Sequence, residues 1–189
     1  MLGQEKKNQQ GFTLLEMLVV SAIFVMTITS MVGIFVNTNR TQKRLANSEK
    51  LQADTRYVVE VMAREIRNNR VNYTFYDNDE LLNQETNALA VIALADSDGN
   101  DIQFRLQNSK IQIRRSASSS EWFDITPDDI AVMQMKIYIS PSTDPYLLDG
   151  PDQQPMVYLG MTTQSLTPDL DQYKLIRYQT AISSRYYAR

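Results

Sequence analysis

Apolar positions crowd the first part of the chain and then thin into two successive rhythms. Between Gly11 and Val36 the stretch GFTLLEMLVVSAIFVMTITSMVGIFV holds a single acid, Glu16, and the twenty residues from Met17 to Val36 carry no charge. As a helix rising about 1.5 Å per residue, such a run spans roughly 30 Å, the hydrocarbon thickness of a bilayer. Ser21, Thr27, Thr29 and Ser30 fit that helix, because each hydroxyl can bond back to a carbonyl one turn earlier. Beyond Val36 the apolar residues narrow to a stripe. Leu45, Leu51, Val58, Met62 and Ile66 recur at helical spacing with Thr55 filling a gap, while Arg44, Lys50, Arg56, Glu60, Arg64 and Arg67 lie mostly on other faces. No glycine or proline falls between Ile34 and Asp98, so one helix is expected from Phe12 to about Asn69, roughly 87 Å long.

The period then changes to two. Val71 to Thr86 is polar and rich in Asn, Asp and Tyr, and reads as a crossing loop. Ala88 to Leu94 suits a buried strand, Asp96 to Asn100 a turn, and Ile102, Phe104 and Leu106 alternate with Gln103 and Arg105. A turn at Gln107 to Ser109 leads into Ile111 and Ile113, giving a three-stranded meander. Trp122 to Ile125 adds a short strand. Met133, Met135, Ile137 and Ile139 alternate with Gln134, Lys136 and Tyr138 in a longer one. Pro141 to Pro155, with four of the six prolines, is expected to be a long loop. Met156 to Met161 and Lys174 to Ile182 form the last strands, separated by a polar turn at Thr163 to Asp171 and followed by a tail at Ser184 to Arg189.

The 189 residues suffice for one medium domain with its own core besides a membrane segment. Composition removes much chemistry. With no cysteine there is no disulfide, thiol nucleophile or thiolate metal site, and with no histidine there is no Ser-His-Asp or Cys-His catalysis and no His-ligated metal. The net charge of −3 is uneven: residues 70–189 carry −6, which disfavours a nucleic-acid surface spread over that part. A local basic cluster at Arg105, Lys110, Arg114 and Arg115 reads first as a solvated hairpin face.

Other candidate sites are weak. DSDGND at residues 96–101 has its glycine at the fourth position and Gln107 where a calcium loop needs a bidentate Glu, so it reads as a hairpin turn. Asp144, Asp149 and Asp152 are a better cluster for a hard cation, although oxygen-rich loops are mostly just solvated. Tyr73, Phe75 and Tyr76, like Tyr186 and Tyr187, suit either a contact patch or packing on the sheet, with packing preferred. No phosphate-binding glycine loop, metal spacing or nucleophile elbow occurs, and no cofactor or catalytic residue is expected.

The N-terminal flanks carry the sharpest signal. The apolar run is too long for a secretory signal, and Asn37, Thr38, Asn39 and Arg40 follow it instead of small residues. In front, Lys6 and Lys7 lie in a short polar leader ending at Gly11, and KKNQQGFTLLEMLVV resembles the processing and methylation site of type IV pilin-like proteins. That resemblance implies cleavage after Gly11 by a membrane-embedded prepilin peptidase, Phe12 as the N-methylated first residue, and Glu16 as an assembly residue. The glutamate also has a physical rationale. A carboxylate inside a hydrocarbon span costs about 2.5 kcal/mol or more, less near the edge, and cutting creates a positive amine about one turn away to pair with it. Arg40, Lys43 and Arg44 outnumber Lys6 and Lys7, so flanking charge alone favours the leader outside, whereas the resemblance requires it inside.

The order of later elements, with phrases such as DGNDIQFRL and YQTAISSRYY, is similar to the heads of minor pilins and J-type minor pseudopilins. Many major pilins share a disulfide-closed loop and a helix-kinking proline, and this chain has neither. The expectation is thus an α+β, lollipop-shaped pilin-like fold: leader 1–11, transmembrane or filament-core helix 12–36, amphipathic continuation 37–69, and an antiparallel β-sheet head over 70–189. The implied function is that of a non-enzymatic minor pilin or pseudopilin, anchored once in the inner membrane with its head extracytoplasmic. Its implied partners are prepilin peptidase, other pilins and the inner-membrane assembly platform. A single-pass anchored binding protein that never polymerises is the alternative.

Overall fold

A computed structural model describes residues 11–76, 81–84, 88–116, 121–147, 150, 152–166 and 174–185. Residues 1–46 and 47–189 form separate units. The first contains the N-terminal part of helix α1, which runs from Leu14 to Asn68. It starts two residues later than expected because Thr13 is its cap: Oγ1 of Thr13 accepts from the amide of Glu16 at 3.3 Å, and its carbonyl accepts from Met17 at 3.2 Å. Within this unit the residues of α1 are exposed. Every hydroxyl of the apolar run bonds back as anticipated: Ser21 to the carbonyl of Leu18, Thr27 to Ile23, Thr29 to Val25 and Ser30 to Met26, at 2.8–3.0 Å.

The second unit packs the C-terminal part of α1 on antiparallel sheets. The buried stripe comprises Ser48, Leu51, Thr55, Val58, Val59, Met62, Ala63 and Ile66, so the stripe begins later than expected and Leu45 is exposed. Two strands flank the expected loop after the helix: β1 (Arg70–Val71) and β2 (Val91–Ala95), which pair with each other. Between them Tyr73–Phe75 forms a 3₁₀ turn. The meander follows as β3 (Asp101–Gln107) and β4 (Lys110–Arg115), with β5 (Phe123–Asp124) on its edge. Asn108 and Ser109 both adopt left-handed backbone, at φ 52° and 60°, as a two-residue hairpin turn of right-handed strands demands.

A single sheet was the expectation, and there are two. β6 (Ile130–Ser140), β7 (Met156–Ser165) and β8 (Leu175–Ser183) form a second, three-stranded sheet. β6 joins the rest of the unit through a bridge of Ile137 to Leu89 and through the amide of Val132, which donates to the carbonyl of Ser109 at 2.8 Å. A register shift between Val132 and Gln134 explains a further departure. The extra residue inverts the alternation, so Ile130 and Val132 are buried ahead of it, Ile137 and Ile139 behind it, and Met133 is exposed. β7 also continues past Met161 into the expected turn, because Thr163 is buried and paired with the helix. One core joins α1 to both sheets through Val58, Met62, Ile66, Ile92, Phe104, Ile137, Leu159 and Ile182.

Candidate functional site

Three sequence features converge at the start of α1. Gly11 and Phe12 precede the cap, and Glu16 occupies the first helical turn, where its negative charge opposes the positive helix end. Thr13 went unremarked in the sequence, although Thr13-Leu14-Leu15-Glu16 has the spacing of a capping box. The cap explains why the helix begins here: it supplies acceptors to amides that lipid could not satisfy. Past Glu16, Phe24, Met26, Met31, Ile34 and Phe35 all stay exposed. α1 is long and apolar enough to cross a membrane, and none of its most apolar stretch is buried, which distinguishes that stretch from the core helix of a globular domain.

The polar residues before Gly11, the small residue that ends them, the capped helix start and the uncharged segment behind Glu16 coincide with one family pattern. Residues 6–32 match the prokaryotic N-terminal methylation motif. This methylation motif is consistent with a type IV prepilin-like protein and implies processing by prepilin peptidase and assembly with other pilins. It points to a structural, membrane-anchored protein. Neither the comparison with curated proteins nor that with solved structures returned a match. Lys6 and Lys7 of the motif lie outside the described residues.

The remaining candidates resolve into packing and turns. Arg105 and Arg114 both stack on Trp122, with guanidinium carbons 3.9 and 5.0 Å from the ring centroid, and donate to Gln112 and Gln103 on the facing strands. Arg115 pairs with Glu65 at 2.5 Å. Lys110 donates to the carbonyl of Pro127 and to Asp128, whose carboxyl it holds below the usual carboxylate range. The expected basic patch is therefore tied down by its own neighbours. In the 96–101 segment, Asp96 accepts from the amides of Asp98 and Asn100, with Gly99 at φ 84°, as a turn requires. These bonds hold the Asp96 carboxyl below its ordinary value, led by the side-chain bond from Asn100.

Of the possible cation cluster, Asp149 lies outside the described residues, and Asp144 accepts from the amide of Tyr146. Among the described residues no group of three metal-ligating side chains converges. Tyr73 and Tyr76 are buried: the hydroxyl of Tyr73 donates to the carbonyl of Pro141, and that of Tyr76 accepts from the amide of Ala93 at 2.7 Å. Phe75 remains exposed, and Tyr186 and Tyr187 lie outside the described residues.

Proposed function

We propose that this chain is a minor pilin or pseudopilin, cut after Gly11 by prepilin peptidase, N-methylated on Phe12, and assembled through its N-terminal helix into a type IV pilus or a secretion or competence pseudopilus. The observation that carries it is a capped helix whose first turn holds Glu16 and whose next charge is Arg40, with the intervening surface unburied, its start lying inside a methylation motif that covers residues 6–32.

The mechanism follows from solvation. Residues 12–36 reside in the bilayer before assembly, with 1–11 as leader, 37–69 as the amphipathic continuation and 70–189 as the exported head. Moving the apolar surface from lipid to the helices of neighbouring subunits changes its solvation little, so packing and specific polar contacts must select the register. Cleavage creates an amine just outside the helix cap, and Glu16, three residues beyond Thr13, is its partner in the same subunit or in a neighbour. A carboxylate and an amine that neutralise each other lower the cost of both in a hydrocarbon environment. The lack of cysteine and of a helix-kinking proline favours a minor over a major subunit.

Mass spectrometry of the chain recovered from native membranes tests this reading. The expected N-terminus is methylated Phe12; an intact Met1, or a cut beyond Val36, overturns it. Assembly of Glu16→Lys at the unaltered level would sink the pairing role while leaving the processing role standing.

A further inference from the structure

The last turns of α1 and strand β8 bound a groove of about 460 Å³, apart from the N-terminal segment and backed by the core residues Val59 and Ala63. Glu60, Arg64 and Arg67 line it from the helix, and Tyr178, Thr180 and Arg185 from the strand and the residues after it. We propose that this groove docks a short, extended acidic segment of a partner protein, its carboxylates held by the guanidinium groups of Arg64, Arg67 and Arg185.

Three observations support the assignment. First, all three arginines are exposed, and among the described residues none of them is ion-paired, although the chain as a whole is acidic. A cation at the last turn of a helix is expected from the helix dipole, which accounts for Arg67. It does not account for the other two, and the helix end is already satisfied: the amide of Arg185 donates to the carbonyl of Arg67 at 2.8 Å, and the backbone and side chain of Asn69 donate to the carbonyl of Glu65. The guanidinium groups are thus not consumed in capping.

Second, the shape suits a peptide. Arg64 and Arg67 sit one turn apart on a single face, and Tyr178 and Thr180 alternate on the side of β8 facing inward. From Glu60 to Arg67 the helix rises roughly 10 Å, the length of about three residues of extended chain. Third, β8 is the edge of its sheet among the described strands, so an incoming segment meets an unpaired backbone as well as three guanidinium groups, which outnumber the single carboxylate of Glu60. Guanidinium groups engage carboxylates through paired N–H donors, which a lysine cannot reproduce. A nucleic acid would carry the same sign of charge, but a long polyanion leaving this short groove would run onto a region whose residues 70–189 sum to −6.

The test is fluorescence anisotropy with the full chain in nonionic detergent micelles and fluorescein-labelled tetraglutamate as probe. Tetraglutamate is expected to bind and tetralysine not to bind. The Arg64→Gln/Arg67→Gln/Arg185→Gln variant is expected to weaken binding at least tenfold, and Arg56→Gln, an exposed helix arginine outside the groove, to leave it unchanged. The corresponding triple lysine variant controls for folding and net charge, and it should bind more weakly than the unaltered chain. Absence of tetraglutamate binding, equal loss in Arg56→Gln, undiminished binding by the lysine variant, or tighter binding of an oligothymidylate of similar length would each overturn the proposal. None of these readouts depends on processing or filament assembly, so the groove and the N-terminal reading fail independently.

Discussion

Thr163 on β7 and Thr55 on α1 share a buried hydrogen bond of 2.8 Å between their hydroxyl oxygens. Thr55 spends its only proton on the carbonyl of Leu51, at 2.7 Å, so Thr163 is the donor across the interface. That direction makes the pair unequal. Thr55→Val strands the Thr163 hydroxyl at a site that is 0% exposed and is expected to cost about 1–3 kcal/mol. Thr163→Val leaves Thr55 bonded to its own helix and is expected to cost about 1 kcal/mol or less. Because the double valine variant orphans no donor, it should be no worse than Thr163→Val. Denaturant titration of the full chain in detergent checks the order.

The stripe that binds α1 to the sheets begins at Ser48, and its energetics should show the same boundary. Met62 is fully buried beneath both sheets, so Met62→Ala is expected to remove about 2–5 kcal/mol through lost contacts and a residual cavity. Leu45 has the same spacing in the sequence but is 58% exposed, so Leu45→Ala should change stability by no more than about 0.5 kcal/mol. Equal losses at the two positions, read from unfolding midpoints, would show that the stripe extends further than the burial does.

These two positions also mark what could be read in advance. The helix and most strands were legible because Val58, Met62 and Ile66 keep a helical period, while Ile102 and Phe104, or Val157 and Leu159, keep a period of two. Met133 was misplaced because a bulge inserts a residue and carries no signature of its own in an otherwise regular alternation. The split into two sheets was hidden for a related reason: strand pattern reports which face is buried, not which edge is paired. Gln84 shows a third limit. It looked like loop, yet its amide oxygen accepts from the amide of Ile139 at 2.5 Å and its nitrogen donates to the carbonyl of the same residue at 3.1 Å, standing in for a neighbouring strand. The methylation motif, by contrast, is a contiguous string of residues, so it was legible without knowledge of any tertiary contact. The arginine groove was not, since residues 64, 67 and 185 meet only after folding.

Burial should give the second unit an alkaline limit. Desolvation, aided by neighbouring Tyr146 and Asp144, raises the Tyr73 phenol well above its ordinary value, and burial raises Tyr146 as well. Above about pH 10 the unfolded chain releases these protons while the folded chain retains them. The unfolded state then binds fewer protons, so stability falls as pH rises from about 10 toward the higher folded values. Tyr73→Phe is expected to flatten that decline, at the cost near neutrality of about 1 kcal/mol for the lost bond to Pro141. Denaturant titrations near neutral pH and near pH 11 compare the two. An identical alkaline decline in both proteins would show that Tyr73 ionises as freely folded as unfolded.

Gly11 offers the means to separate folding from processing. A methyl group built on it meets nothing within 4 Å, and its backbone is not in the left-handed region, unlike Gly99 at φ 84°. Among the described residues, no packing or conformational demand therefore calls for glycine at this position. If, on the proposed cleavage after Gly11, the small residue is needed only by the peptidase, Gly11→Val should leave the unfolding of the full chain unchanged within about 0.5 kcal/mol. The same substitution should abolish the mature form beginning at methylated Phe12, which the intact mass of membrane-derived protein reports directly. A valine variant still cut at Phe12 would remove the requirement for a small residue. One that lost both processing and stability would move the role of Gly11 back into the fold.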